Sequence, residues 1–585
     1  MGSGLCREVD EAAPPMVHTM LYPMYVLKVS DFLQMAPGSP PAHGALKEKG
    51  LLKIWEPGLF VIFVSHQWLG ISHPDPAGQH TSMLRQILLR LIAGSTKVEA
   101  DVVSQSYGRP VEFTEKTRQQ IQEGYLFLDW FAIPQITARQ HGVNEELTKS
   151  EAALAVQSIP AYVEVANLFV ALVAECRHED RGCYCNYTSW LTRGWCRAEL
   201  WCHLLSNKSD TSVVLAHSTR EVRFMFPLDW QQSTVADGEF TVESDRFIVV
   251  KLAEAAVEDK IRQLGQTGPL HLYRFYRAMR QKMLGRTGVS WLPNGFLKDF
   301  AFPDVQGAVQ SSSQMNGLMC AVLAGDVFMI RWLAERRADV NLRCEGLNDL
   351  GFFTSQPLLF AAAKSVQAPR VLETLIDLRA DVSQTSDSGG SVMLYARCPG
   401  QVQVLLRARA DPHSPAGSLG MTPLSGCSSN CDAKTLCAML DARCDPNPPL
   451  SGLGISPLHS CILYGRGNRH AQDNLLLLLE RRADASARCT PTGRYDWIGQ
   501  PARMYARLAG LATLPLVLRH YAVLPGLTPL GSAAFTGDEA SACVLWRHGA
   551  ETAGNDDGHT LQDIAESNGY FHLLPLLQSF NTFYV

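Results

Sequence analysis

Glu199 lies in the stretch Arg193–Leu200, "RGWCRAEL", with Trp195 four residues before it and Cys202 and His203 three and four residues after it. On a helix these positions share one face, so an aromatic ring, a carboxylate, a thiol and an imidazole fall together. Two readings follow. Glu199 is the working acid of an active site, or it is a helix-surface charge paired with Arg193 or Arg197. His66 and Asp129 stand at the ends of two apolar runs, "LFVIFVSH" (59–66) and "GYLFLDWFAIPQ" (124–135). In an open α/β sheet, ligands gather at the carboxyl ends of strands, so His66 and Asp129 are candidates to line one cleft with Trp195 and Glu199. Trp68 and Trp130 either stack on a base or cover the sheet edge.

Other chemistries find less support. Cys176, His178, Cys183 and Cys185 occur in "CRHEDRGCYC", which has irregular gaps rather than paired Cys-x2–4-Cys spacing, so no metal site is expected from the Cys-rich loop 176–185. No GxGxxG follows a strand, and there is neither a Walker A sequence nor a Gly-x-Ser-x-Gly elbow. Phosphate-loop, Rossmann and serine-hydrolase chemistry therefore have no footing, and no cofactor is expected.

The elements that must position these residues alternate. Residues 59–66 read as a buried strand and "TSMLRQILLRLIAG" (81–94) as a helix. A second strand ends in Asp129, and "EAALAVQSIPAYVEVA" (151–166) is a helix interrupted at Pro160. "NLFVALVAE" (167–175) is a third strand, 193–206 a helix, and "TSVVLAH" (211–217) a fourth strand. Strands separated by helices predict a parallel sheet covered on both faces.

The order of these elements, ending in the "WCRAEL" helix, resembles a Toll/interleukin-receptor (TIR) domain, whose plant form carries Ser-x-Trp-Cys-Leu-x-Glu-Leu. "FLDWFAIPQ" followed by "YVEVANLFVAL" is similar to the TIR-related fungal heterokaryon-incompatibility (HET) domain. The similarity covers about residues 55–220. It implies a flavodoxin-like fold, a self-associating domain and, through the Glu of the Trp-Cys helix, cleavage of the nicotinamide–ribose bond of NAD, with Glu199 as the catalytic residue and NAD as substrate. A carboxylate beside the ribose stabilises the positive charge that such a cleavage builds. The sequence departs from the family at Ser65-His66-Gln67-Trp68, in an extra segment at 95–123 and in the long loop 176–192.

The C-terminal half is repetitive. "WLAERRADVN" (332–341), "TLIDLRADVS" (374–383), "VLLRARADPH" (404–413), "AMLDARCDPN" (438–447), "LLLERRADAS" (477–486) and "VLWRHGAETA" (544–553) place acids at Asp339, Asp381, Asp411, Asp445, Asp484 and Glu551. The spacings are 42, 30, 34, 39 and 67, the last close to two periods, with a degenerate copy expected at 516–526. A period near 33 with insertions resembles ankyrin repeats. "GMTPLSGC" (420–427), "GISPLHSC" (454–461) and "GLTPLGSAA" (526–534) resemble their Thr-Pro-Leu-His-x-Ala phrase. Pro suits the first helical turn, and the preceding Thr or Ser can cap it. Arg stands where Gly usually ends such a helix, so several turns must hold a non-glycine in the left-handed region.

The chain has 585 residues, 46% hydrophobic and 19% charged, a composition of folded domains. A net charge of −5 without basic runs argues against a nucleic-acid partner. No apolar stretch is long enough to span a membrane and no signal peptide is evident, so a cytoplasmic location and reduced thiols are expected. Met1–Cys6 resembles an acylation signal with Cys6 in the place of Ser or Thr. The expected plan is an N-terminal extension (1–50), a TIR/HET-like α/β domain (51–230), a helical connector (231–300), a linker (301–316) and about seven ankyrin-like repeats (317–578). The expected function is protein binding through the repeats in signal transduction, joined to NAD hydrolysis. The alternative is a non-catalytic scaffold whose α/β domain self-associates.

Overall fold

Apolar residues on both faces drive four runs into the middle of one sheet, as the computed structural model shows. It describes residues 19–100, 113–135, 145–208, 210–286, 288–310, 315–353, 355–414 and 419–582. The Met1–Cys6 acylation motif lies outside the described residues, as does part of the extra segment 95–123. In chain order the strands are β1 (Tyr25–Lys28), β2 (Leu52–Ile54), β3 (Val61–His66), β4 (Tyr125–Leu128), β5 (Leu168–Leu172), β6 (Cys176–Arg177), β7 (Tyr184–Cys185), β8 (Val213–Ala216) and β9 (Val222–Phe224). The main sheet runs β2-β1-β4-β3-β5-β8-β9, and β6 pairs only with β7.

Strands β4, β3, β5 and β8 are parallel, whereas β1, β2 and β9 pair antiparallel at the edges. The sheet is thus largely rather than wholly parallel, and it takes in Tyr25–Lys28 from ahead of residue 51. Those edge strands are three or four residues long and partly exposed. They lack the continuous apolar run by which a central strand announces itself. Strand β4 stops at Leu128, and Asp129 opens a short helix, Asp129–Ala132. The expected helix at 151–166 is two, Glu145–Gln157 and Ile159–Val165, with Pro160 in the first turn of the second.

Alternation sorts the side chains. Phe63 stacks on Phe127 and Phe169, its register partners on both sides, with ring centroids 4.9 and 5.3 Å apart. This aromatic rung belongs to a core shared with the helices Ile159–Val165 and Gly194–Leu204. Ile62 and Val64 face the other way, into a second core with the helix Gln79–Ile92.

The helices Asp245–Thr267 and Leu270–Met283 form the connector. Lys260 Nζ donates to the Ser206 carbonyl at 2.8 Å. Arg274 reaches the carbonyls of Phe300 and Ala301 at 2.9 and 3.1 Å and lies 3.8 Å over the Phe302 ring. The described residues of 301–316 are therefore held against the connector.

Seven helical pairs then stack among the described residues. They are Gly317–Ala324 with Val327–Ala334, Leu358–Lys364 with Pro369–Asp377, and the 3-10 turn Val392–Tyr395 with Pro399–Arg407. Next come Pro423–Asn430 with Ala433–Asp441, Pro457–Tyr464 with Ala471–Glu480, Pro529–Thr536 with Glu539–Arg547, and Leu561–Ser567 with Leu574–Thr582. Thr422, Ser456 and Thr528 each accept the backbone N–H three residues on, and Pro423, Pro457 and Pro529 start their helices. Arg337, Arg379, Arg409, Arg443 and Arg482 adopt φ between 63° and 73°, where the corresponding turn of the sixth pair uses Gly549. Each following Asp accepts the N–H two residues on, at 2.8 or 2.9 Å, which explains the recurring acid as a turn former.

The segment 516–526 is not a degenerate repeat. Helix Leu516–Val523 pairs with helix Arg494–Ala509 as an inserted hairpin. The fifth pair stacks directly on the sixth: His459 bonds the Leu527 carbonyl at 2.9 Å, and the Glu551 N–H donates to Ser486. The gap of 67 holds one period plus this hairpin, because an insertion of nearly a repeat's length mimics a repeat in spacing alone.

The array folds back on the α/β domain. Glu221, in the β8–β9 turn and 2% exposed, is bonded by Arg466 at 2.5 Å and by the Tyr570 hydroxyl. Glu99 accepts the N–H groups of Leu516 and Val517 at 2.8 and 3.1 Å, and Glu175 accepts that of Glu539 at 2.8 Å.

Two stability outcomes are expected. Arg466→Ala leaves Glu221 buried without its main counter-charge and should cost about 3–5 kcal/mol, read by denaturant unfolding. Arg→Gly at 337, 379, 409, 443 or 482 relieves left-handed strain and should stabilise by up to about 1 kcal/mol each, read as an additive rise in melting temperature. No change would show that the arginine side chains compensate for their backbone.

Candidate functional site

The parallel strands follow the spatial order second, first, third, fourth in the chain, so the connections leaving β3 and β4 run over opposite faces. The topological switch point this creates lies at the carboxyl ends of β3 and β5. Ser65 and His66 close β3 at that point, and Asp129 follows β4 in the next rung.

Pleating splits the pair. Ser65 is two residues beyond Phe63 and shares its face, where it meets helix Gly194–Leu204: Ser65 Oγ donates to Glu199 Oε2 at 2.6 Å. Trp190 Nε1 donates to Ser65 Oγ at 3.1 Å. An indole N–H only donates, so the serine oxygen accepts from it and commits its own proton to the carboxylate. His66 points to the opposite face. Its Nε2 bonds Asp129 Oδ1 at 3.0 Å, and its Nδ1 lies 3.4 Å from Nδ1 of His80. Asp129 also accepts from Trp68 Nε1 at 2.9 Å and from its neighbour's backbone N–H, Trp130, at 2.6 Å.

The charges are set accordingly. Burial pushes Glu199 up to about 8, against the pull of the Ser65 hydrogen bond, with Asp129 adding to the rise and His66 opposing it. For His66, burial acts downward but the charge and hydrogen bond of Asp129 prevail, and it is raised. Asp129 is held below the usual range by the His66 charge and its hydrogen bonds in spite of burial. Burial and the His66 charge take His80 down to about 3, so it is neutral and can accept from His66. The side chain of His66 is 3% exposed and that of Asp129 29%, making Asp129 the member of the pair that faces solvent.

Of the sequence candidates, His66 and Asp129 meet each other on one face of the strand end, and Glu199 meets Ser65 on the other. Trp195 is placed elsewhere: its Nε1 donates to Asp245 at 3.0 Å, against the connector. Gly194 explains the turn before it, since a Cβ there would lie 2.0 Å from the Phe240 ring. Neither flanking arginine takes the carboxylate. Arg193 bonds Thr241, and Arg197 bonds the carbonyls of Leu191 and Thr234. His203 bonds the Ser212 carbonyl and Lys208. Trp130, 3% exposed, donates to the Pro40 carbonyl. Cys176 and Cys185 face each other across the β6–β7 ladder as free thiols.

Ser65, Trp190 and His80 were missed by sequence reasoning. Ser65 carried a signal, lying one residue before His66 on an alternating strand; His80 and Trp190 carried none. Glu175, Glu539 and His572 bring three donor atoms within 4.8 Å of one another. Glu175 already accepts the Glu539 N–H, and Arg177 and Tyr184 hold the Glu539 carboxylate at 2.6 and 2.8 Å, so this donor set is occupied by protein partners. Among the described residues no helix is long and apolar enough to cross a membrane.

No protein-family description matches the sequence, and no curated protein is similar to it. Among solved structures, the ankyrin repeat domain of human ASB11 is similar at 17% identity, with a TM-score of 0.29, covering 43% of this chain and 95% of that one. The ankyrin repeat domain of Bcl-3, a member of the IkappaB protein family, is similar at 18% identity, with a TM-score of 0.29, covering 44% of this chain and 97% of that one. The chain is an α/β domain with a largely parallel seven-stranded sheet, followed by a region of stacked helical pairs.

Proposed function

We propose that the protein binds another protein through its ankyrin-type array and that its α/β domain cleaves the nicotinamide–ribose bond of NAD, with Glu199 as the catalytic residue. The observation carrying the second part is Glu199 fixed by Ser65 at the topological switch point, with the His66–Asp129 pair on the other face of the same strand end. The pyridinium nitrogen of NAD takes the electrons of the breaking bond and leaves as neutral nicotinamide, so no acid is needed on the leaving group. The ionised Glu199 stabilises the cationic sugar, and water completes the cleavage. Both ring nitrogens of His66 and both oxygens of Asp129 are engaged, so the proton of that water passes to bulk solvent. A scaffold without turnover is the second reading. It is favoured by Trp195, whose ring is held by Asp245 rather than forming a wall beside the acid.

Nicotinamide release by the full chain, followed by chromatography, decides between them. Glu199→Gln should lower kcat/KM at least 100-fold, and Ser65→Ala by about 10-fold. Activity should rise with pH through a midpoint near 8 and level off above it, since the ionised form is the working one. No release at any protein concentration, or equal release by Glu199→Gln, removes the enzymatic reading.

The same carboxyl has a stability signature. Its folded value lies above its unfolded one, so the native state holds an extra proton between them and loses stability as pH rises from about 4.5 towards 8. Glu199→Gln should therefore gain on the order of 1–2 kcal/mol over wild type at pH 8.5 and little at pH 5, compared by thermal melts.

A further inference from the structure

The inserted hairpin has two apolar faces and only one is used. In helix Arg494–Ala509, Tyr495, Gly499, Ala502 and Ala506 are buried. A Cβ on Gly499 would lie 3.2 Å from the Tyr521 carbonyl, so small residues let this face close on helix Leu516–Val523. On the opposite side Trp497, Met504, Tyr505 and Leu508 are 74, 63, 51 and 81% exposed, with Ile498 beside them. Trp497, Pro501, Met504 and Leu508 are spaced by four, three and four residues, the seam of a coiled-coil helix. Asp496, Gln500, Arg503 and Arg507 form a polar stripe along its flank.

We propose that this helix pairs antiparallel with the same helix of a second copy of the chain. The seam fits itself in that direction. Antiparallel pairing opposes Trp497 to Leu508 of the second copy and Pro501 to Met504 of the second copy, setting large against small in both layers. Parallel pairing would oppose Trp497 to its own copy and Pro501 to its own copy, crowding one layer and emptying the next. The antiparallel arrangement also opposes the two helix dipoles.

The area is sufficient. The exposed apolar side chains present on the order of 500 Å² per copy, at the upper end of the largest patch on a typical monomer. Two copies with a polar rim reach the roughly 1,200 Å² at which specific interfaces begin. The pairing is independent of the Glu199 reading, because it uses no residue of that site.

Sedimentation velocity of the full chain across the micromolar range provides the test. The expected result is a species of twice the 64.5 kDa chain mass that Trp497→Ser/Leu508→Ser converts to monomer, with the circular dichroism melt unchanged. An equimolar mixture of Trp497→Cys and Leu508→Cys chains should cross-link under mild oxidation above the wild-type background, and Trp497→Cys alone should not. A monomer at every concentration, a dimer insensitive to the double substitution, or cross-linking by Trp497→Cys alone overturns the proposal. So does a monomer that co-sediments with phosphatidylcholine–phosphatidylserine vesicles and loses them on Trp497→Ser, since the face then docks on lipid.

Discussion

A buried charge in the β8–β9 turn organises the chain. Glu221 is closed off from water and meets Arg466 from the fifth helical pair and Tyr570 from the seventh. Removing a carboxylate from water costs several kcal/mol unless it is paired and hydrogen-bonded, so this turn fixes where two distant parts of the array must stand. Arg466 also donates to the Thr536 carbonyl at 2.6 Å, and Thr188 of the α/β domain donates to the Arg466 carbonyl at 2.5 Å. One arginine thereby ties two helical pairs to the sheet. The α/β domain and the array are consequently joined near the start of the array, through the connector and by Phe226 against Phe353, and through this seam near its end.

The array tolerates irregularity because its neighbours are held by backbone turns as well as by apolar stripes. Asn341 and Asn447 each accept the N–H of the next turn's Asp, at 2.8 and 2.7 Å. Ser486 does the same for Glu551 across the inserted hairpin. Where a helix is reduced to the 3-10 turn Val392–Tyr395, its Val392 and Met393 are still buried. Five arginines occupy a conformation that glycine adopts without strain. The stacked interfaces over-determine those turns, which is the condition under which such strain persists.

The candidate site shows the opposite balance. Glu199 is held in surroundings that disfavour its charge and is fixed by a hydroxyl whose proton the Trp190 indole directs. His66 and Asp129 stabilise each other's ionised forms on the far side of the strand end. One strand therefore delivers two adjacent residues to two environments, and its pleat alone separates an elevated acid from a stable ion pair.

By itself the sequence determined the alternating centre of the sheet, the repeat phrase with its capped Pro helices, and the left-handed arginine turns, because each follows from periodicity or local backbone chemistry. It also placed His66 at a strand end and Glu199 on a helix, since strand ends and helix faces can be counted. What it left open depended on contacts between residues far apart in the chain. The short edge strands β1, β2 and β9 carry too few apolar residues to be read alone. The hairpin at 494–523 imitates a repeat in length and is distinguished only by the fifth pair stacking on the sixth. Trp195 shares a helix with Glu199, yet Asp245, fifty residues on, takes its ring. Ser65 and Trp190 reach Glu199, and His80 reaches His66, only through the tertiary fold, and burial there, which no local pattern encodes, sets the charge of Glu199.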